Sequence, residues 1–144
     1  DVAADACSEL SLVAENAESL PFADDSFDAV TSVYLFHELP RGVRRRVMAE
    51  IVRVVRPGGT VVICDSAQLA DSGDLYDVLE IFARSYHEPY YKSYLRDDVA
   101  GIAAECGLEV QASASHLVSR VVTARRPRRR AQAKSQRPRS VRTK

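Results

Sequence analysis

The sequence predicts an α/β fold, and three observations predict it. Residues 29–36, Ala-Val-Thr-Ser-Val-Tyr-Leu-Phe, form an apolar run with little alternation, as in a strand covered on both faces. Residues 41–55 then place Val43, Val47, Ile51 and Val54/Val55 at helical spacing. Arg56-Pro57-Gly58-Gly59 stops that helix and leads into a second apolar strand, residues 60–64, closed by Asp65. Strand, helix, glycine turn and strand make one βαβ crossover, and with it a parallel pair.

The chain of 144 residues is long enough for one domain with a modest core. Its zero net charge is an average over two unlike regions. Ten of the twenty Lys+Arg lie in residues 125–144 with no acid among them, leaving ten basic against twenty acidic side chains in residues 1–124. Cys7, Cys64 and Cys106 stand far apart without metal-like spacing, so they read as reduced thiols of a cytoplasmic protein with no metal site. No run reaches the roughly 18 apolar residues of a membrane helix. The opening residues lack the basic start and apolar centre of a secretion signal, and a start at Asp1 rather than Met reads as a fragment or processed product.

Taken in order, residues 1–10 resemble the end of a helix, and Leu12-Val13-Ala14 is a short strand candidate. Pro21 turns Leu20 away from helix, and Asp24-Asp25-Ser26 favours a turn before the first long strand. Residues 71–85 read as a second helix with Asp74 and Asp77 at its positive end. Residues 86–94 form a loop holding four of the six tyrosines. A third helix over residues 95–106 buries Val99, Ile102, Ala103 and Cys106, with Gly107 as its left-handed cap. Residues 108–112 and 119–124 are strands joined by a short connection, hence antiparallel. From Arg125 onward almost nothing apolar remains, so 125–144 reads as a disordered basic tail after a domain of residues 1–124.

Four pieces carry a resemblance: Asn16-Ala17-Glu18-Ser19-Leu20-Pro21-Phe22, Ser26-Phe27-Asp28-Ala29-Val30, Phe36-His37-Glu38-Leu39, and the stretch from Glu50 to Arg56-Pro57-Gly58-Gly59. In this order and spacing they resemble the middle of a class I S-adenosylmethionine-dependent methyltransferase, nearest to the ubiquinone/menaquinone-biosynthesis group, from about Ser11 to Pro127. The resemblance implies a Rossmann-like sheet of order 3-2-1-4-5-7-6 with strand 7 antiparallel. Residues 12–14 would be strand 3, residues 29–36 strand 4, residues 60–64 strand 5, and the last pair strands 6 and 7. Nothing matches the family's Gly-rich turn after strand 1 or the acid that ends strand 2. The expectation is therefore an N-terminally truncated sheet of strands 3, 4, 5, 7 and 6 with flanking helices. Such a sheet is marginal, or is rescued by direct pairing of strands 3 and 4.

The resemblance also implies site residues. Asn16 and Ala17 occupy the family's adenine-reading position, although an Asn there also suits a plain loop turn. Ser32, Tyr34 and Leu35 end strand 4 on the cofactor side, with ordinary core packing as the alternative. His37 has the right chemistry for a general base, or it is a histidine that bonds the loop and helix start. The zinc-protease pattern fails because Arg41 stands four residues after it. Tyr86, His87, Tyr90 and Tyr91 fall where the family builds its substrate wall, or they pack a covering loop. Arg44-Arg45-Arg46 reads as a solvated helix face. The tail could contact an acidic surface or nucleic acid by charge. The activity implied for the intact parent is methyl transfer from S-adenosylmethionine to a small-molecule acceptor. The competing reading is a non-catalytic, methyltransferase-like binding module.

Overall fold

The computed structural model describes residues 11–71, 77, 81 and 89–128. Strand β1 (Phe27–Val33) leads through a 3-10 turn (Phe36–Glu38) into helix α1 (Arg41–Val54), and α1 runs directly into the long strand β2 (Val55–Ser66). A second 3-10 turn (Leu69–Asp71) follows. Two short helices come next, α2 (Tyr91–Leu95) and α3 (Val99–Glu105), and then the hairpin of β3 (Glu109–His116) and β4 (Ser119–Arg125).

The sheet order is β1-β2-β4-β3. The βαβ reading holds: residues 29–33 of β1 pair in parallel with residues 60–64 of β2. The final pair is antiparallel, and β4 inserts between β2 and β3. In the family's numbering this is 4-5-7-6, the predicted far half of the sheet. Helices α1 and α3 cover one face, where Val47, Met48 and Ile51 meet Val61 and Ile63, and Val99, Ile102 and Ala103 meet Val122 and Ala124.

Several expectations are corrected. Leu12-Val13-Ala14 forms no strand; Leu12 is 84% exposed and pairs neither with β1 nor with any other strand. A strand needs neighbours to take its backbone bonds, and the sheet ends at β1. That first strand also stops three residues early, because Tyr34 turns into the left-handed region at φ 49. Arg56-Pro57-Gly58-Gly59 lies inside β2 rather than ahead of it. There Phe27 pairs with Val55 and Ala29 with Thr60, so Asp28 faces four residues of an outward bulge. Gly59 is obligatory in it, since a Cβ would lie 2.7 Å from Val55 Cγ2 and 2.8 Å from the Asp28 carbonyl oxygen.

The expected helix over residues 95–106 is two helices broken at residues 96–98. Gln68, fully buried, accounts for the break. Its Nε2 donates to the carbonyls of Tyr94 (2.8 Å) and Asp97 (2.7 Å), and its Oε1 accepts from the Val99 N–H (3.1 Å). One side chain thus takes backbone groups that a continuous helix would pair internally. Gly107 caps α3 at φ 94, as expected. The tail boundary also moves. Arg125 ends β4, and Arg126 bonds the Val55 carbonyl and the Asp25 carboxylate, so order continues past residue 124. Residues 129–144 and most of the expected helix over residues 71–85 lie outside the described residues.

Candidate active site

The site forms where β1 and β2 end side by side. Ligands of open α/β sheets bind at these carboxyl ends. Asp65 closes β2 with a carboxylate only 2% exposed. It accepts from the Phe36 N–H (2.7 Å), the Ser66 N–H (2.8 Å) and His37 Nδ1 (2.6 Å). A carboxylate can only accept, so Nδ1 carries the proton and Nε2 is the basic nitrogen of the neutral ring. Glu38 Oε1 stands 3.4 Å from Nε2. Of the two readings of His37, the structure shows the bonded one, with Nδ1 held by Asp65 at the end of β2.

Three tyrosines surround the imidazole edge-on, with centroids at 6.1 Å (Tyr34), 5.8 Å (Tyr91) and 6.1 Å (Tyr94). Each hydroxyl is engaged: Tyr34 with Ser119 Oγ (2.5 Å), Tyr91 with Ser66 Oγ (2.7 Å), and Tyr94 donating to the Ser66 carbonyl (2.6 Å). Burial and the neighbouring Asp65 carboxylate push the Tyr94 hydroxyl well above its usual pKa, so it stays a donor. Tyr34 is half-exposed in a left-handed conformation that a bulky residue rarely adopts, and such strain gathers at functional sites.

The predicted residues separate into groups. Ala17, Ser32 and Leu35 line one groove of about 360 Å³ along the free edge of β1, with Leu20, Val30, Val33, Val47 and Ile51. Ser32 Oγ is buried there with no hydrogen-bond partner. Asn16 instead closes its own turn: its Oδ1 accepts from the Glu18 N–H (2.9 Å) and its carbonyl from the Ser19 N–H (2.9 Å). Tyr34 joins His37 rather than the groove, Tyr91 is buried against His37, and Tyr90 is exposed at the rim. Tyr86 and His87 lie outside the described residues.

Other functional positions escaped the sequence reading. Arg44 is 0% exposed instead of solvated. Glu50 and Arg53 do not face water alone; they clamp the loop before β1. Glu50 Oε2 accepts from the Leu20 N–H (2.8 Å), and Arg53 donates to the carbonyls of Leu20 (3.0 Å) and Phe22 (2.7 Å). The bonds from Arg53 and Leu20 hold the Glu50 carboxyl down at about 2. The one usable signal was Asp65 itself, an acid directly after a buried strand.

A family profile described as a methyltransferase domain matches residues 1–63. The phthiotriol/phenolphthiotriol dimycocerosates methyltransferase of Mycobacterium tuberculosis (strain ATCC 25177 / H37Ra) is 52% identical over 50 residues, 35% of this chain and 18% of that protein. The demethylmenaquinone methyltransferase of Bacillus subtilis (strain 168) is 33% identical over 119 residues, 71% of this chain and 50% of that one. The chain thus spans half or less of these relatives. Among solved structures, an O-methyltransferase family protein from Burkholderia thailandensis superposes with a TM-score of 0.65 at 16% identity, covering 88% of this chain and 39% of its own. A SAM-dependent methyltransferase from Methanosarcina mazei gives 0.58 at 19% identity, covering 79% and 66%. At such identities the superpositions establish the fold alone. The matched profile and the sequence relatives are methyltransferases, and the superposed structures include SAM-dependent ones, so this is the class of protein the chain is similar to.

Proposed function

We propose that this chain supplies the acceptor side of a methyl-transfer site, with a small molecule as acceptor and His37 as general base. The observation that carries the reading is the His37–Asp65 bond of 2.6 Å at the carboxyl ends of two parallel strands, inside a tyrosine wall. When bound, S-adenosylmethionine supplies an electrophilic methyl group on a sulfonium sulfur. His37 Nε2 takes the proton that an oxygen, nitrogen or carbon acceptor must lose. Asp65 fixes the ring's tautomer and orientation and stabilises the imidazolium. Tyr34, with Tyr90 at the rim, holds the acceptor's apolar body against the base.

The groove fits one flank of the cofactor. Ala17 and Leu35 offer flat apolar contact of the kind an adenine takes, and Ser32 lines the same groove with its hydroxyl buried and unpaired. Among the described residues no acidic side chain and no Gly-rich turn lines this groove. The free edge of β1 supports a further reading: a preceding segment adds strands there and brings the remaining cofactor contacts. The same open edge is what a non-catalytic binding module would use.

The test is methyl transfer by this chain, and by a version extended upstream, to the acceptors for which its relatives are named, demethylmenaquinone and phthiotriol dimycocerosates. His37→Asn in the active version is expected to cut kcat about 10²–10⁴-fold. Unchanged turnover would remove His37 from the chemistry. Calorimetry of the unextended chain with S-adenosylmethionine is expected to give weak binding or none, and low-micromolar affinity would overturn the need for added strands.

A further inference from the structure

Arg44 is the largest fully buried side chain of the molecule as described, and methyl transfer as set out above makes no direct use of it. It rises from the first turns of α1 into the space between two segments of the site. Its Nε donates to the Phe36 carbonyl (3.0 Å), in the 3-10 turn that carries His37. Its Nη1 meets Asp97 Oδ2 (2.9 Å), and its Nη2 donates to the Tyr90 carbonyl (2.9 Å) and to Ser93 Oγ (2.9 Å). The guanidinium also lies 5.4 Å from the Tyr94 ring centroid. One rigid fork therefore joins the base-bearing turn to the segment that supplies Tyr91 and Tyr94.

A charge with only a stabilising role gains little from complete burial, because desolvation offsets much of the attraction. What this placement does secure is geometry. The two walls of the site come from residues 34–38 and 90–97, more than fifty positions apart. Arg44 bonds both. Gln68 grips the second wall from the opposite side and is bonded to Arg120 (2.9 Å) rather than to the base-bearing turn. Arg41 Nε, 3.5 Å from Asp97 Oδ1, gives that carboxylate a second cation. The adjacent residues Asp65 and Ser66 also hold the two walls, Asp65 through Phe36 and His37 and Ser66 through Tyr91 and Tyr94, so loss of Arg44 loosens the relation between the walls while each keeps other anchors.

We infer that Arg44 is a positioning residue of the acceptor site: it sets the distance and angle between the His37 imidazole and the Tyr91–Tyr94 wall. The inference rests on the methyl-transfer reading for its purpose and on nothing beyond the described geometry for its test. The test is NMR of the full chain without cofactor, comparing wild type with Arg44→Met and Arg44→Lys. The readouts are the imidazole nitrogen and Nδ1 proton resonances of His37 and its ring contacts to Tyr91 and Tyr94, with His116 in the β3–β4 hairpin as internal control.

Wild type is expected to show a slowly exchanging Nδ1 proton and both ring contacts. Arg44→Met is expected to lose the contacts and broaden the proton signal while His116 and the circular dichroism stay unchanged. Arg44→Lys, which keeps charge but not the fork, is expected to resemble Met more than wild type. Unchanged His37 signals in both variants overturn the inference, as does a loss of those signals only together with the fold. In the active version the same variants should lower kcat at least tenfold with KM little changed. Unchanged turnover in His37→Asn alongside altered Arg44 spectra would instead sink the base assignment and leave the positioning role standing.

Discussion

The two flanks of the β1–β2 pair differ sharply. On the β4 side, the buried polar side chains among the described residues have partners: Arg44 reaches Asp97, Gln68 spans a helix break, and Asp65 accepts three bonds. On the free side of β1, Val33 is 64% exposed, Leu12 more so, and the Ser32 hydroxyl is buried without a partner. Satisfied polar networks specify one arrangement, whereas open apolar edges invite another strand. The contrast separates a finished flank, its polar groups paired, from an unfinished one, open at its edge, within one sheet.

The largest expected effect lies on the finished side. Asp97→Ala leaves the Arg44 guanidinium buried without its carboxylate and should cost about 3–5 kcal/mol in urea unfolding; a loss below about 1 kcal/mol would erase the contrast. A middling effect belongs to the Glu50–Arg53 clamp at the boundary between the flanks. Its carboxyl sits at about 2 when folded against an ordinary 4.5. A depressed folded pKa stabilises fully above the higher value, and that contribution disappears as pH falls from about 4.5 towards 2. Glu50→Gln should therefore flatten the acid limb of stability against pH and cost about 1 kcal/mol at neutral pH, the scale of a solvent-screened pair. An acid limb identical to wild type would assign the pH response elsewhere. The smallest effect is expected on the unfinished side: Ser32→Ala should change the unfolding free energy by less than about 0.5 kcal/mol, or stabilise slightly, because no bond is lost. A clear destabilisation would mean that the hydroxyl is already paired.

Some of this was legible in local pattern. The β-branched and aromatic run of residues 29–36 located β1, and the spacing of Val43, Val47 and Ile51 located α1, because helical burial repeats about every 3.6 residues. Gly107 marked a helix end through its own backbone freedom. Arg44 misled, since a run of three arginines carries no sign of which one turns inward. Leu12-Val13-Ala14 misled for the opposite reason: its apolar residues suit a strand, but strand formation depends on a neighbour, and no edge pairs with it.

By itself, then, the sequence determined the βαβ unit, the antiparallel closing hairpin and the class of fold, all set by periodicity and turn chemistry within short windows. Only the tertiary structure decided the pairing of His37 with Asp65 across 28 positions, the inward turn of Arg44 and the open edge at β1. Those outcomes depend on which distant groups meet and which meet nothing, and a linear pattern carries no record of either.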